Sequence, residues 1–296
     1  MRYGSRLRKG RHDVSGLRPA ALRAELFDPA AWQQAVRNRA VILTGGAGAL
    51  GRAVVHELMA AGALVTVVDR PGADMTDFAR RSNLVAVSAD ITQPQECARV
   101  VQEAVSAYGR VDALVNNAGV IHVAVIVEHE IEDWRRVFQV NVEGSFLMAQ
   151  ACIRQMIEQP IDTENGRRGL IVNIGSRAAD AGRPFTTAYA ASKAAVVHMS
   201  MSLAQAFADD QIATTVVFPA DIETPIFLGV CQQIADLEGV TLEQFVADRP
   251  MDTAESYAPV VMSVLSSQAM EFNGVLVRHG EDDRPFRTGD GEVPRR

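Results

Sequence analysis

From Ala40 onward the chain alternates short apolar runs with longer stretches whose apolar residues recur at helical spacing. The runs are Ala40–Leu43, Leu64–Val68, Leu84–Val87, Ala113–Val115, Leu170–Ile174, Thr214–Phe218 and Gly274–Val277. They are rich in Val, Ile and Leu and do not alternate with polar residues, as expected of strands covered on both faces. Helical spacing marks Arg52–Ala61, Glu96–Tyr108, Trp134–Glu158 and Ala188–Ala208. Strand followed by helix, repeated, predicts βαβ units, whose crossovers make the strands parallel and put helices on both faces. No internal repeat and no Pro/Gly-rich linker interrupts residues 40–280. The pattern predicts a single doubly wound α/β domain with a parallel sheet of about seven strands.

The ends differ from this body. Residues 1–20 are basic and lack hydrophobic periodicity, which reads as a mobile arm, and residues 1–39 together form a basic, partly disordered extension. A polar tail, 281–296, follows the last strand. Hydrophobic residues make up 48% of the 296 and charged residues 22%, which supports a folded core and excludes a disordered chain. No apolar run reaches the roughly 20 residues that cross a bilayer, and none follows the basic start to make a secretory signal. The net charge of −7 is uneven: residues 1–40 hold nine basic and three acidic residues, and the rest is strongly acidic. An acidic body speaks against nucleic-acid binding. Cys97, Cys152 and Cys231 are too scattered for a disulfide framework or a metal site and fit a reducing, cytoplasmic setting. Lysine occurs only at Lys9 and Lys193, which singles out the second.

The first predicted strand runs into Thr44-Gly45-Gly46-Ala47-Gly48-Ala49-Leu50-Gly51 and then a helix. Glycine permits a tight turn and lets backbone N–H groups approach a pyrophosphate at a helix N-terminus, where the dipole favours negative charge. A glycine-rich turn alone is weak evidence, but its place between the first strand and a helix is what the dinucleotide fingerprint requires. The second strand ends in Asp69-Arg70, with Asp69 18 residues after Gly51. A carboxylate there accepts hydrogen bonds from both ribose hydroxyls of NAD and repels the 2′-phosphate of NADP, so NAD is the expected cofactor. Arg70 either packs on adenine or is solvated.

Asn116-Asn117-Ala118-Gly119 follows the fourth strand, at a carboxyl end where open α/β sheets bind ligands. The fifth strand ends in Asn173-Ile174-Gly175-Ser176. Thirteen residues beyond Ser176 stands Tyr189, with Lys193 four residues further on the same helix face. An ammonium beside a phenol stabilises the phenolate and lowers a pKa of about 10, making Tyr189 a usable acid or base near neutrality. Read singly, such a pair is a surface tyrosine and a solvated lysine.

Taken together, the Thr44–Gly51 turn, Asp69, Asp90, Asn116–Gly119, Asn141, Ser176, Tyr189, Lys193 and Pro219–Thr224 resemble the short-chain dehydrogenase/reductase family over about residues 40–280. The resemblance implies a Rossmann fold and an NAD-dependent oxidoreductase moving a hydride between the nicotinamide and a secondary alcohol or ketone. It assigns Tyr189 the proton transfer at the substrate oxygen and Ser176 a hydrogen bond to that oxygen. Lys193 would lower the phenol's pKa and hold the nicotinamide ribose, and Asn141 would hold a water that relays protons from Lys193 to solvent. Gly45, Gly48, Ala49, Leu50 and Gly51 would face the pyrophosphate, and Asp90 and Ile91 the adenine. Asn117, Ala118 and Gly119 would line the ribose, while Pro219, Ile222 and Thr224 would hold the carboxamide and pyrophosphate. A homo-oligomer, dimer or tetramer, is also implied.

The chain departs from the family pattern in several places. Ala49 stands where a glycine is usual, Gly175 where a serine is, and Pro219-Ala220 replaces Pro-Gly. The short span from Asp69 to Asp90 predicts a stunted helix, and the last strand runs into Arg278-His279-Gly280 rather than Asp-Gly-Gly. None of these removes a catalytic group. The other reading is a non-catalytic NAD(H)-binding sensor on the same fold.

Substrate is expected beside Val120, Ile121 and His122, the segment Arg177–Thr187 and the segment Pro225–Pro250. In the last, Ile226, Phe227, Leu228, Val230, Ile234, Leu237 and Phe245 read as a lid over about 222–250, or as a plain amphipathic surface helix. His122 reads as a rim residue rather than a catalyst. Arg177 and Arg183 read as solvated or ion-paired, and an inward arginine would favour an anionic substrate such as a sugar acid. Leu26-Phe27-Asp28 and the glycine turn are similar to members that oxidise sugar acids and polyols, whereas the apolar lid suits an aliphatic, cyclic or steroid-like alcohol. The sequence leaves the substrate open.

Overall fold

Every apolar run becomes a strand in the computed structural model of the chain, which describes residues 18–20, 29–78, 81–182 and 184–279. In chain order the elements are β1 (Arg18–Ala20), α1 (Pro29–Val36), β2 (Ala40–Thr44), α2 (Ala49–Ala60), β3 (Leu64–Asp69), β4 (Leu84–Ser88), α3 (Pro94–Tyr108) and β5 (Ala113–Asn116). They continue with α4 (Ile131–Phe138), α5 (Ser145–Glu158), β6 (Gly169–Ile174), α6 (Thr187–Ala206), β7 (Ile212–Phe218), α7 (Pro225–Glu238), α8 (Leu242–Val246), α9 (Ala254–Leu265) and β8 (Val275–Arg278). Residues 1–17, Leu26-Phe27-Asp28, Arg183, Gly280 and the 281–296 tail lie outside the described residues.

The strands form one parallel sheet in the order β1-β8-β7-β6-β5-β2-β3-β4. From β2 the chain winds outward through β3 to β4, returns to place β5 beside β2, and then winds the other way. At that reversal the carboxyl ends of β2 and β5 diverge and leave a crevice. The eighth strand corrects the sequence reading. Arg18–Ala20, taken there as part of a mobile arm, pairs with Val275–Val277 at the edge of the sheet. Such a strand is recruited by the open main-chain groups of β8 rather than by an apolar run of its own.

Successive residues of one strand serve opposite cores. Val41 and Leu43 pack with Trp32 of α1, Leu58 of α2 and Tyr257 of α9. Ile42, between them, packs with Val100 of α3 and Met148 and Cys152 of α5, a side that Leu203 of α6 also covers. Both faces being dry, all five β2 residues are buried, which is why the run shows no alternation. Burying a side chain such as Leu43 contributes about 1.5–3 kcal/mol over leaving it exposed.

Two connections shape the crevice. Among the described residues between Asp69 and Leu84 there are turns and no helix, as the short spacing predicts. Arg52 of α2 spans the gap, with Nε donating to Ala47 O (2.9 Å), Nη2 donating to Asp74 O (2.6 Å) and the guanidinium 5.2 Å from the Phe78 ring centroid. The single helix expected over Trp134–Glu158 is instead α4, a π-helical turn at Gln139–Gly144, and α5. That turn buries Asn141 and Gly144, and a Cβ on Gly144 would come within 2.9 Å of Ile91.

Candidate active site

The crevice begins at the turn after β2. Gly45 has φ +69°, and a Cβ there would lie 2.8 Å from Ala118 Cα. A Cβ on Gly51 would overlap the Gly45 carbonyl, so α2 starts in direct backbone contact with the turn. Gly48 is the N-cap of α2 and supplies no side-chain cap, which leaves the helix's first N–H groups to an anion. Thr44 Oγ1 accepts from Asn117 N and Ala118 N, both at 3.1 Å. Asn117 Nδ2 in turn donates to Thr44 O (3.0 Å) and Gly45 O (3.1 Å). The Asn117 amide is therefore used to tie the β2 turn to the β5 turn.

Asp69 ends β3 with Oδ2 accepting from Ala47 N and Oδ1 from Arg70 N, each at 2.8 Å. Both carboxylate oxygens are thus held at the rim of the glycine turn. Asp90 Oδ1 accepts from Thr92 N and Thr92 Oγ1, a local turn that presents Ile91 to the crevice.

Tyr189 and Lys193 lie one turn apart on α6. The hydroxyl of Tyr189 is hydrogen-bonded to that of Ser176. Burial raises the pKa of the phenol and the Ser176 hydrogen bond opposes that rise. Lys193 is buried, its Nζ donates to Ile174 O at 2.7 Å, and burial pushes its pKa down to about 8. The ammonium is 5.7 Å from the Tyr189 ring centroid. Burial and Ser176 are the influences on the phenol in this structure, and one donor of the Lys193 ammonium is taken by Ile174 O.

Asn141 is buried behind Gly119. Its Oδ1 accepts from Val120 N (2.8 Å), and its Nδ2 donates to Val120 O (2.9 Å) and Ser192 Oγ (3.0 Å). Ser192 Oγ donates to Tyr189 O at 2.7 Å. Asn141, expected to hold a relay water, pegs the β5 loop to the helix that carries Tyr189.

One cleft of about 1020 Å³ is lined by Gly45, Gly48, Ala49, Leu50, Gly51, Asp69, Arg70, Asp90, Ile91, Asn117, Ala118, Gly119, Ser176, Tyr189, Lys193, Pro219, Ile222 and Thr224. Of the sequence-derived catalytic and cofactor residues, Asn141 alone does not line it. Thr224 caps α7, its Oγ1 accepting from Phe227 N at 3.1 Å, which leaves its hydroxyl proton free to donate. Ile226, Phe227, Val230, Ile234 and Phe245 of the expected lid face the cleft, and Leu228 and Leu237 do not. His122 is turned away from it, 3.5 Å from Asp133 and 5.0 Å ring to ring from His129. Arg177 reaches the cleft and donates to His279 O at 3.3 Å.

Sequence reasoning named Thr44 only as the start of the turn, and it missed the roles of Thr44, Ser192, Arg136 and Arg249. A threonine at the strand end and a serine one turn after Tyr189 were visible signals for the first two. The two arginines gave none, since their approach to the cleft depends on tertiary packing.

The family model for short chain dehydrogenases matches residues 39–234. A 3-oxoacyl-(acyl-carrier-protein) reductase of Thermotoga maritima is 33% identical over 249 residues, spanning 82% of this chain and 96% of that protein. A 3-hydroxyacyl-CoA dehydrogenase type-2 of Drosophila melanogaster is 31% identical over 252 residues, spanning 82% and 96%. The ligand-free structure of Thermoplasma acidophilum aldohexose dehydrogenase superposes with a TM-score of 0.68 at 25% identity, covering 82% of this chain and 92% of that one.

Proposed function

Because this chain belongs to the short chain dehydrogenase family, a family of oxidoreductases, we propose that it is an NAD-dependent enzyme acting on a secondary alcohol or ketone. One observation carries the reading: Ser176, Tyr189 and Lys193 converge in the same cleft whose other end holds the glycine turn and Asp69. The cofactor fits that cleft, since Gly45 and Gly51 leave no room for a side chain and Asp69 offers its carboxylate at the rim. When bound, the nicotinamide supplies or takes up the hydride.

The chain's own residues do the rest. Gly48, Ala49, Leu50 and Gly51 hold the pyrophosphate at the start of α2, and Asp69 holds the adenosine ribose and selects NAD. Asp90 and Ile91 bound the adenine, while Pro219, Ile222 and Thr224 fix the carboxamide end. Tyr189 gives or takes the proton at the substrate oxygen. Ser176 donates to that oxygen and stabilises the charge that develops there. Lys193 holds the nicotinamide ribose, and Asn141 positions the helix that carries Tyr189 and Lys193. The half-exposed Ile131 and Phe146 on α4 and α5 suit a homo-oligomeric contact, dimer or tetramer.

The test is NADH formation from NAD⁺ with a panel of secondary alcohols, polyols, sugar acids, hydroxysteroids and 3-hydroxyacyl thioesters, with Tyr189→Phe in parallel. Turnover lost in the variant, with NADH affinity retained, is the expected result. Equal turnover in both proteins would overturn the role of Tyr189, and NADH binding without turnover across the panel would favour the sensor reading. The names of the relatives span acyl thioesters and a sugar, so kinship leaves the substrate undecided.

A further inference from the structure

Arg249 stands at the end of the lid, where the chain returns to its base. There Asp252 N donates to Asp221 O and Glu223 N to Asp252 O, both at 2.8 Å, so the segment is fastened beside Ile222 and Thr224. The guanidinium carbon lies 4.1 Å from the Phe245 ring centroid, and Nε donates to Phe245 O at 3.1 Å. These two contacts fix the plane of the group and use one of its five N–H donors. Its four remaining donors have neither a hydrogen bond nor a carboxylate within ion-pair distance among the described residues, although Arg249 is half-buried and lines the cleft. Asp221 and Glu238 line the same cleft, and neither forms an ion pair with it.

The other cations of the cleft are differently placed. Lys193 is bonded to Ile174 O, Arg177 to His279 O, and Arg70 adjoins Asp69 at the adenosine end. Arg136 is exposed on α4. The lid's Phe227, Val230, Ile234 and Phe245, all apolar, line the same cleft as Tyr189 and Arg249. A half-buried guanidinium with its planar fork open, in a cleft walled by apolar lid side chains, suits an anion.

Resting on the dehydrogenase reading above, we infer that the substrate is an amphipathic hydroxy or oxo compound whose terminal oxyanion, carboxylate or phosphate, is held by Arg249. The lid's apolar side chains enclose the aliphatic part, and the reacting carbon lies toward Tyr189.

The wild-type protein, Arg249→Gln and Arg249→Lys are first titrated with NADH and then, as the NADH complex, with hexanoate, hexyl phosphate and hexanamide, read by NADH fluorescence and calorimetry. At least one of the two anions should bind about tenfold or more tighter than the neutral amide, as one charged hydrogen-bonded pair supplies. The anion that gains identifies its chemistry. Arg249→Gln should abolish the preference, Arg249→Lys should keep part of it, and NADH affinity should be the same in all three. Equal binding of anions and amide, or a preference that survives in Arg249→Gln, would overturn the inference. Failure of the wild type to bind NADH, seen before any anion is added, would overturn the dehydrogenase reading and this one with it.

Discussion

Asn141 and Val120 exchange two hydrogen bonds, the side-chain amide of one pairing with both main-chain groups of the other as a strand neighbour does. The pair fastens the loop after β5 to the π turn, and a third bond to Ser192 extends the link to the helix of Tyr189. Asn141→Ala leaves the part-buried Val120 N–H and C=O without these partners, at up to about 1–3 kcal/mol for each group left unpaired. Thermal unfolding should shift down by several degrees. NADH affinity should fall as well, because Gly119 and Val120 border the cleft. A variant with unchanged stability and cofactor affinity would show that the exchange holds nothing in place.

Lys193 is expected to cost stability where it serves chemistry. Its pKa is about 8 in the folded chain against an ordinary 10.5. Between those pH values the unfolded chain binds more protons than the folded one, so this group makes stability rise with pH across that window. Below pH 8 the penalty for burying the charge is fully present. Lys193→Met removes the penalty along with the hydrogen bond to Ile174 O. The variant should lose turnover yet melt higher than the wild type at pH 7, with the gap closing as pH rises toward 10. Melting curves at pH 7 and pH 9.5 decide it, and a gap that ignores pH would refute the assignment.

On the proposed reading, Asp69 sets the cofactor. With both oxygens pinned by Ala47 N and Arg70 N, the carboxylate cannot swing away from an incoming 2′-phosphate without breaking those bonds. Asp69→Ser removes the negative charge and keeps Arg70. The ratio of kcat/KM for NAD over NADP should drop about 10- to 100-fold, the scale of one charged hydrogen-bonded contact. A wild-type enzyme that already prefers NADP would contradict the role given to Asp69.

What the sequence made legible followed from burial and from spacing. Seven strands could be read because a strand covered on both faces is buried along its whole length and so is mostly apolar, as β2 and β7 are. The glycine turn, Asp69 and the Tyr189–Lys193 interval could be read because their chemistry fixes residue type and distance along the chain. Other features had no such trace. β1 is an Arg-Pro-Ala stretch whose pairing is decided by the free edge of β8. Asn117 and Asn141 look like ligand-binding amides, and only the fold reveals that their donors are consumed by Thr44, Gly45, Val120 and Ser192. Arg249 carries no local signal, because its meaning comes from Phe245 beneath it and the cleft in front of it.

The π turn between α4 and α5 constrains the length of the chain as well as its composition. A helix advances about 100° per residue, so one surplus residue rotates everything after it by that angle relative to the segment before. Met148, Cys152 and Met156 reach the sheet only because Gln139–Gly144 absorbs that surplus. Deleting a single residue there would leave a straighter helix and an apparently better local sequence. It would also turn either Asn141 or the whole apolar stripe of α5 toward solvent. For grafting or recombining this segment with a relative, residue count between Trp134 and Met148 matters more than similarity of the residues themselves.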